Sequence, residues 1–206
     1  FCIHPKEKVR KIAVVGGTKD IDWEKVISLG ADLLLLDQEE NPRSFAEASP
    51  IPVFATHVTS VQTMEATCRE LAKRLLNEKL NEIAERWRMV CQCSFEWDIA
   101  NIPGAHTQLM PVPEKPDGIK NSFAKIVYVI WRNPWMAAGR DTFIGSILDL
   151  MGAQELNLFE NEKYPKFEIE KINLATTFFL FSTEPYPFHL KLEELEKLGM
   201  RGAIVD

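Results

Sequence analysis

The fold is most legible in Lys125 to Gly152, KIVYVIWRNPWMAAGRDTFIGSILDLMG. It opens with a β-branched and aromatic run, KIVYVIW, the composition of a buried strand. RNPWMAAG follows as a loop holding Pro134, Trp135 and Gly139. RDTFIGSILDLMG then reads as a helix. Asp141 or Thr142 can cap it, Phe143, Ile144, Ile147, Leu148 and Met151 share one face, and Gly152 can end it. Strand, tight loop and helix make an α/β unit, and such units bind ligands at the carboxyl edge of the sheet. Here that edge carries Trp131, Arg132, Trp135 and Arg140, flat aromatic faces beside fixed positive charge.

Working outward, the N-terminal part repeats the rhythm. Lys11 to Gly17, KIAVVGG, reads as a short strand closed by a glycine pair. Asp20 or Asp22 can cap the next helix, with Trp23, Val26, Ile27 and Leu29 as its apolar stripe and Gly30 at its end. Asp32 to Asp37, DLLLLD, suits a parallel strand buried on both faces. Pro42 opens a short helix through Ala48, and Ile51 to His57 is the next strand. The order predicts a parallel sheet with right-handed crossovers. Thr59 or Ser60 then caps a long helical stretch with a possible break at Asn77. To about Leu76 alone it would run roughly 25 Å at about 1.5 Å per residue, enough for a stiff connection. Ile99 to Asn121 is rich in Pro, Gly and polar residues and reads as irregular. After the central unit, Phe167 to Leu174 reads as a short helix, Thr177 to Thr183 as a buried strand, Leu190 to Leu198 as an amphipathic helix and Ala203 to Asp206 as a last strand.

WEKVISLGADLLLLD, Trp23 to Asp37, echoes IEKINLATTFFLFST, Ile169 to Thr183, with one residue gapped. Each strand is followed by a Glu-bearing loop, QEEN or EPYPF. The expected architecture is therefore α/β: two α/β lobes with parallel sheets, joined by a long backbone helix, with a ligand cleft between them. The expected divisions are an N-terminal lobe over 1–58, a backbone helix region over 59–98, an irregular connection over 99–124 and a C-terminal lobe over 125–206.

Bulk composition narrows the function. With 24 Lys+Arg against 30 Asp+Glu in 206 residues, the formal charge is -6. That balance, with no basic run, argues against nucleic-acid binding. No apolar stretch approaches the roughly 20 residues that span a bilayer. Cys2, Cys68, Cys91 and Cys93 lack zinc-finger spacing and read as free thiols, and no metal site is expected. Signatures for dinucleotides, nucleoside triphosphates and a serine nucleophile are missing. Gly16-Gly17 before a helix is a weak phosphate signal. An α/β enzyme acting on a phosphorylated small molecule, or a docking module without a ligand, are the alternatives to a binding protein.

VGGTKDIDWEKVISLGADLLLLDQEEN, IWRNPWMAAGRDTFIGSILDLMGA, YPKFEIEKI and STEPYPF together resemble the cobalamin- and iron-chelate-binding proteins of bacterial ABC importers. The similarity runs from FCIHP almost to the C-terminus, apart from Trp87 to Asn121. It implies two α/β lobes joined by one long helix, and no catalysis. It also implies a periplasmic or extracytoplasmic membrane-anchored location, with delivery of a metal chelate to an ABC transporter permease dimer. Family members carry another strand and helix ahead of the FCIHP equivalent, so the first lobe is expected to be incomplete at its start. No cofactor is expected apart from the transported chelate.

The ligand-binding candidates are Cys2, His4, Glu40, Trp131, Arg132, Trp135, Arg140 and Tyr186. Aromatic faces suit a flat macrocycle or catechol. Arginine forks suit carboxylate or phosphate, although Arg140 can instead pair with Asp141 or a neighbouring loop. Tyr186 can supply a second wall. Cys2 and His4 lie in a loop that the resemblance places in the cleft, where packing or ligand contact is preferred to metal bonding. Glu24 and Glu170 open matching segments of the two halves. The resemblance implies that they dock on permease arginines; acidic residues there also simply favour a helix dipole.

Overall fold

A computed structural model describes residues 6–96, 105–108 and 123–205. The chain divides into two compact units, one ending at Val58 and the other beginning at Thr59. The helical stretch after Thr59 thus groups with the C-terminal part.

The first unit runs α1 (Lys6–Val9), α2 (Trp23–Ser28), β1 (Leu34–Asp37), α3 (Arg43–Ala48) and β2 (Val53–Thr56). Asp22 caps α2, its carboxylate accepting from the Lys25 N–H at 3.0 Å. β1 and β2 pair in parallel, Leu34 opposite Val53 and Asp37 opposite Thr56. Trp23 on α2 meets Phe45 on α3 edge-on at 6.2 Å. Two expectations are corrected here. KIAVVGG forms no strand: Val15 to Asp22 closes on itself through a Gly16–Ile21 bridge, leaving Ile12 and Val14 exposed. DLLLLD is not buried on both faces. Its sheet has two strands, Leu36 is buried, and Leu35 remains 49% exposed because nothing described covers that side.

The second unit opens with α4 (Val61–Leu75) and α5 (Glu78–Cys91). Ser60 caps α4 in a reciprocal box with Thr63. Leu76 takes a left-handed conformation, and Asn77 caps α5. The stretch breaks at Asn77, as its sequence suggested, and the two pieces lie side by side rather than end to end. Arg69 of α4 bridges Glu65 of its own helix and Glu85 of α5, which also grips Arg88. Hydrogen bonds from Arg88 and then Arg69 hold the Glu85 carboxyl well below its ordinary range, at about 2. The small buried residues Cys68, Ala72 and Ala84 suit this close packing.

A six-stranded sheet follows, in the order β3-β8-β7-β4-β5-β6. Its strands are β3 (Ala105–Gln108), β4 (Lys125–Trp131), β5 (Trp135–Ala138), β6 (Lys166–Phe167), β7 (Thr177–Ser182) and β8 (Gly202–Val205). β4, β7 and β8 are mutually parallel; β3, β5 and β6 join antiparallel. Successive strand residues face opposite sides, so Ile126, Phe178 and Leu180 pack with Phe123 and Leu148 on one face. Val127, Val129, Phe179 and Phe181 pack with Phe188, Leu195 and Met200 on the other. Between the strands lie α6 (Phe143–Leu150) and α7 (Leu192–Lys197). Both helices before the sheet reach α6: the Val61 N–H donates to Ser146 Oγ at 3.0 Å, and Trp87 meets Phe143 at 5.9 Å.

Three local expectations are corrected in this unit. RNPWMAAG is not all loop, because Trp135–Ala138 turns back and pairs with β4. Phe167 to Leu174 is not a helix: Phe167 pairs with Trp135, leaving one 3₁₀ turn at Ile169–Lys171. The irregular connection contains β3, which pairs with β8.

Candidate ligand-binding rims

Each unit gathers loops at the carboxyl ends of its parallel strands. In the first, Asp37 ends β1 and organises the loop behind it. Its Oδ1 accepts from the N–H groups of Glu39 and Glu40 at 2.9 and 3.3 Å. Thr56 Oγ1 donates to Asp37 Oδ2 at 2.9 Å, and the Asp37 N–H donates to Asn41 Oδ1 at 2.8 Å. Asn41 reaches across to the Thr18 carbonyl at 3.1 Å, and the Lys19 ammonium donates to the Glu40 carbonyl. Glu40 is thereby fixed through its backbone while its residue stays exposed. Beside this loop lies a cavity of about 430 Å³ with Leu36, Ala55 and Ala46 as apolar lining and Gln38 and Asn41 as amides. That size suits a small ligand, within the range of roughly 300–1,000 Å³. The Asp37…Asn41 spacing was a readable Asx-turn signal for the loop; the cavity had none.

In the second unit the rim is built on the turn from β4 to β5 and the loop after β7, brought together because β4 and β7 are neighbours. Asn133 has φ +63, which swings the chain round ahead of Pro134. Trp131, 40% exposed, stands edge-on to Tyr186 at 5.6 Å. Tyr186 leans on buried Phe188 at 4.5 Å. Trp135 is half-buried, stacked on Phe188 at 6.2 Å and on Phe167 at 6.0 Å. Of these rings Trp131 is the exposed one, Tyr186 is half-buried beside it, and Trp135 stacks inward.

The two rim arginines are already engaged. Arg132 lies over the Trp135 ring at 5.0 Å and pairs with Glu194 of α7. The hydrogen bond from Arg132 holds the Glu194 carboxyl below its usual range. Arg140 pairs with Asp149 of α6 at 3.4 Å, and among the described residues its side chain pairs with neither Asp141 nor a neighbouring loop. Thr142 caps α6: its Oγ1 donates to the Gly139 carbonyl at 2.7 Å and accepts from the Gly145 N–H at 3.0 Å. A Cβ on Gly145 would overlap the carbonyl oxygens of Gly139 and Arg140, so the loop lies directly on the helix. Glu194 and Asp149 escaped the sequence reading because their partners are distant loops.

Cys2 and His4 lie outside the described residues. Glu24 is exposed in the first turn of α2, and Glu170 is exposed in the 3₁₀ turn. Their shared sequence setting thus sits in unlike backbones. Among the described residues, no group of three or more His, Cys, Asp or Glu is placed to hold a metal ion, and no helix is long and apolar enough to cross a membrane.

No family model matches the sequence, and no curated protein matches it. Solved structures do share the fold. A periplasmic vitamin B12 binding protein of Vibrio cholerae superposes with TM-score 0.62 at 14% identity, over 97% of this chain and 75% of that one. A periplasmic heme-binding protein solved with two hemes gives TM-score 0.62 at 18% identity, over 89% and 65%. A periplasmic heme binding protein from Pseudomonas aeruginosa gives 0.60 at 17% identity, over 93% and 66%. The chain therefore has a mixed α/β fold of the periplasmic binding-protein kind. It spans about two thirds of the two heme-binding structures.

Proposed function

We propose that this protein is the capture component of an ABC importer, binding a corrinoid or iron chelate outside the cytoplasm and handing it to a permease dimer without catalysis. The observation that carries this reading is the wall formed by Trp131 and Tyr186 at the carboxyl edge of the larger sheet. Aromatic faces of this kind gain dispersion and stacking energy against a macrocycle or catechol without needing many directed hydrogen bonds. The Asp37–Asn41 loop, with Glu40 exposed beside the cavity, is proposed as the first unit's contact surface. Fold likeness to vitamin B12 and heme binding proteins supports the same class of ligand. Glu24 and Glu170 are proposed to dock on the permease, since both carboxylates are exposed.

The test is titration of the apo-protein with cyanocobalamin, haemin and a ferric siderophore, read by tryptophan quenching. One chelate should bind stoichiometrically and leave unchanged. Trp131→Ala should weaken it by about tenfold or more, as for loss of a central aromatic anchor. Absence of binding by all three would overturn the reading. Charge reversal at Glu24 and Glu170 should leave the titration intact and abolish chelate-stimulated ATP hydrolysis by the cognate permease complex.

A further inference from the structure

Arg132 is a long cation in an aromatic rim, and its obvious use would be to take hold of an anionic ligand. Its surroundings argue otherwise. Its side chain is 16% exposed, against 47% for its partner Glu194. Its guanidinium covers Trp135, and its Nε is buried with no hydrogen-bond partner among the described residues. A buried donor left unpaired is unfavourable, so the ion pair and the ring contact must together outweigh it. Glu194 belongs to α7, a helix anchored by fully buried Leu195. The bridge therefore ties the three-residue turn between β4 and β5 to α7. Trp131 and Trp135 flank that turn directly.

We propose that Arg132 is a positioning residue: gripped by Glu194 and laid over Trp135, it fixes the β4–β5 turn so that Trp131 stands against Tyr186. The proposal rests on the reading of this rim as the ligand wall. Lysine would keep the charge but lose the planar stacking surface and the fork.

The test uses the full chain carrying 5-fluorotryptophan, whose five tryptophans are assigned in ¹⁹F spectra by single Trp→Phe variants. Without ligand, Arg132→Gln and Glu194→Gln should each shift or broaden the Trp131 and Trp135 resonances and leave Trp23 and Trp87 unmoved. The reciprocal pair Arg132→Glu with Glu194→Arg should restore Trp131, and Arg132→Lys should restore Trp131 but not Trp135. Unmoved Trp131 and Trp135 resonances in Glu194→Gln, which keeps a half-exposed surface residue in place, would overturn the proposal. With whichever of haemin, cyanocobalamin or ferric siderophore the wild type binds, Glu194→Gln should weaken affinity by about tenfold, the loss of one charge-assisted bond, and the reciprocal pair should recover it. If Arg132→Gln abolishes binding while Glu194→Gln leaves it intact, Arg132 reads the ligand directly and the proposal falls. If the wild type binds none of the three, the functional reading fails, and the ¹⁹F spectra alone decide whether Arg132 positions the turn.

Discussion

β1 and β7 begin as the same kind of sequence, an apolar run leading into a Glu-bearing loop, and end in opposite surroundings. All six residues of β7 are buried between two side-chain layers. Of the four in β1, one is buried and Leu35 is half open to solvent. β7 has parallel neighbours on both edges, whereas among the described residues β1 has β2 alone. A continuous apolar run thus announces a strand that wants cover on both faces. How much cover it receives depends on what the rest of the chain brings to it.

The sharpest way to break this contrast is to empty each strand. Phe181→Ala, at a fully buried ring, should cost about 3–5 kcal/mol. Leu35→Ala, at a half-exposed side chain, should cost under about 1 kcal/mol. Urea unfolding followed separately by Trp135 and Trp23 fluorescence checks both, and equal losses would end the distinction. A smaller pair compares helix caps. Thr142→Ala removes a buried hydroxyl that bonds in both directions and should cost about 1–2 kcal/mol, against about 0.5–1 kcal/mol for exposed Asp22→Ala.

The helical hairpin supplies the smallest effect and a pH test. Glu85 titrates at about 2 in the folded protein against an ordinary 4.5. A depressed carboxyl stabilises fully above the ordinary value, and that contribution is lost as pH falls through the folded one. Amide protection in α4 and α5, measured against the intrinsic exchange rate at each pH, should therefore fall as pH drops from about 4.5 to about 2. Glu85→Gln should remove that pH dependence, leaving protection lower but flat across the window.

Much of this was legible in advance. Asp22, Ser60 and Thr142, each one of two candidates offered by the sequence, cap the helix they precede, because a cap is a bond between a side chain and a backbone two or three residues away. The apolar runs of β4 and β7 were legible for a similar reason, since period and composition are local. Pairing was not. Trp135–Ala138 looked like loop because its strand character comes from β4 and β6 on either side. KIAVV looked like strand, and it has no described neighbour to make it one. Arg132 looked free for a ligand, and Arg140 was open to either a ligand or an ion pair, until Glu194 and Asp149 arrived from elsewhere in the chain.

By itself, the sequence determined where α2, α4 and α6 start, that β4 and β7 are extended, and that aromatic and cationic residues crowd one strand end. Those are properties of neighbours along the chain, set by hydrogen-bond reach and side-chain period. Tertiary structure decided which strands gained partners, which ring of the rim faces outward and which arginine is already occupied. Those depend on contacts between residues tens of positions apart, where burial and ion pairing are settled by whatever the fold sets opposite.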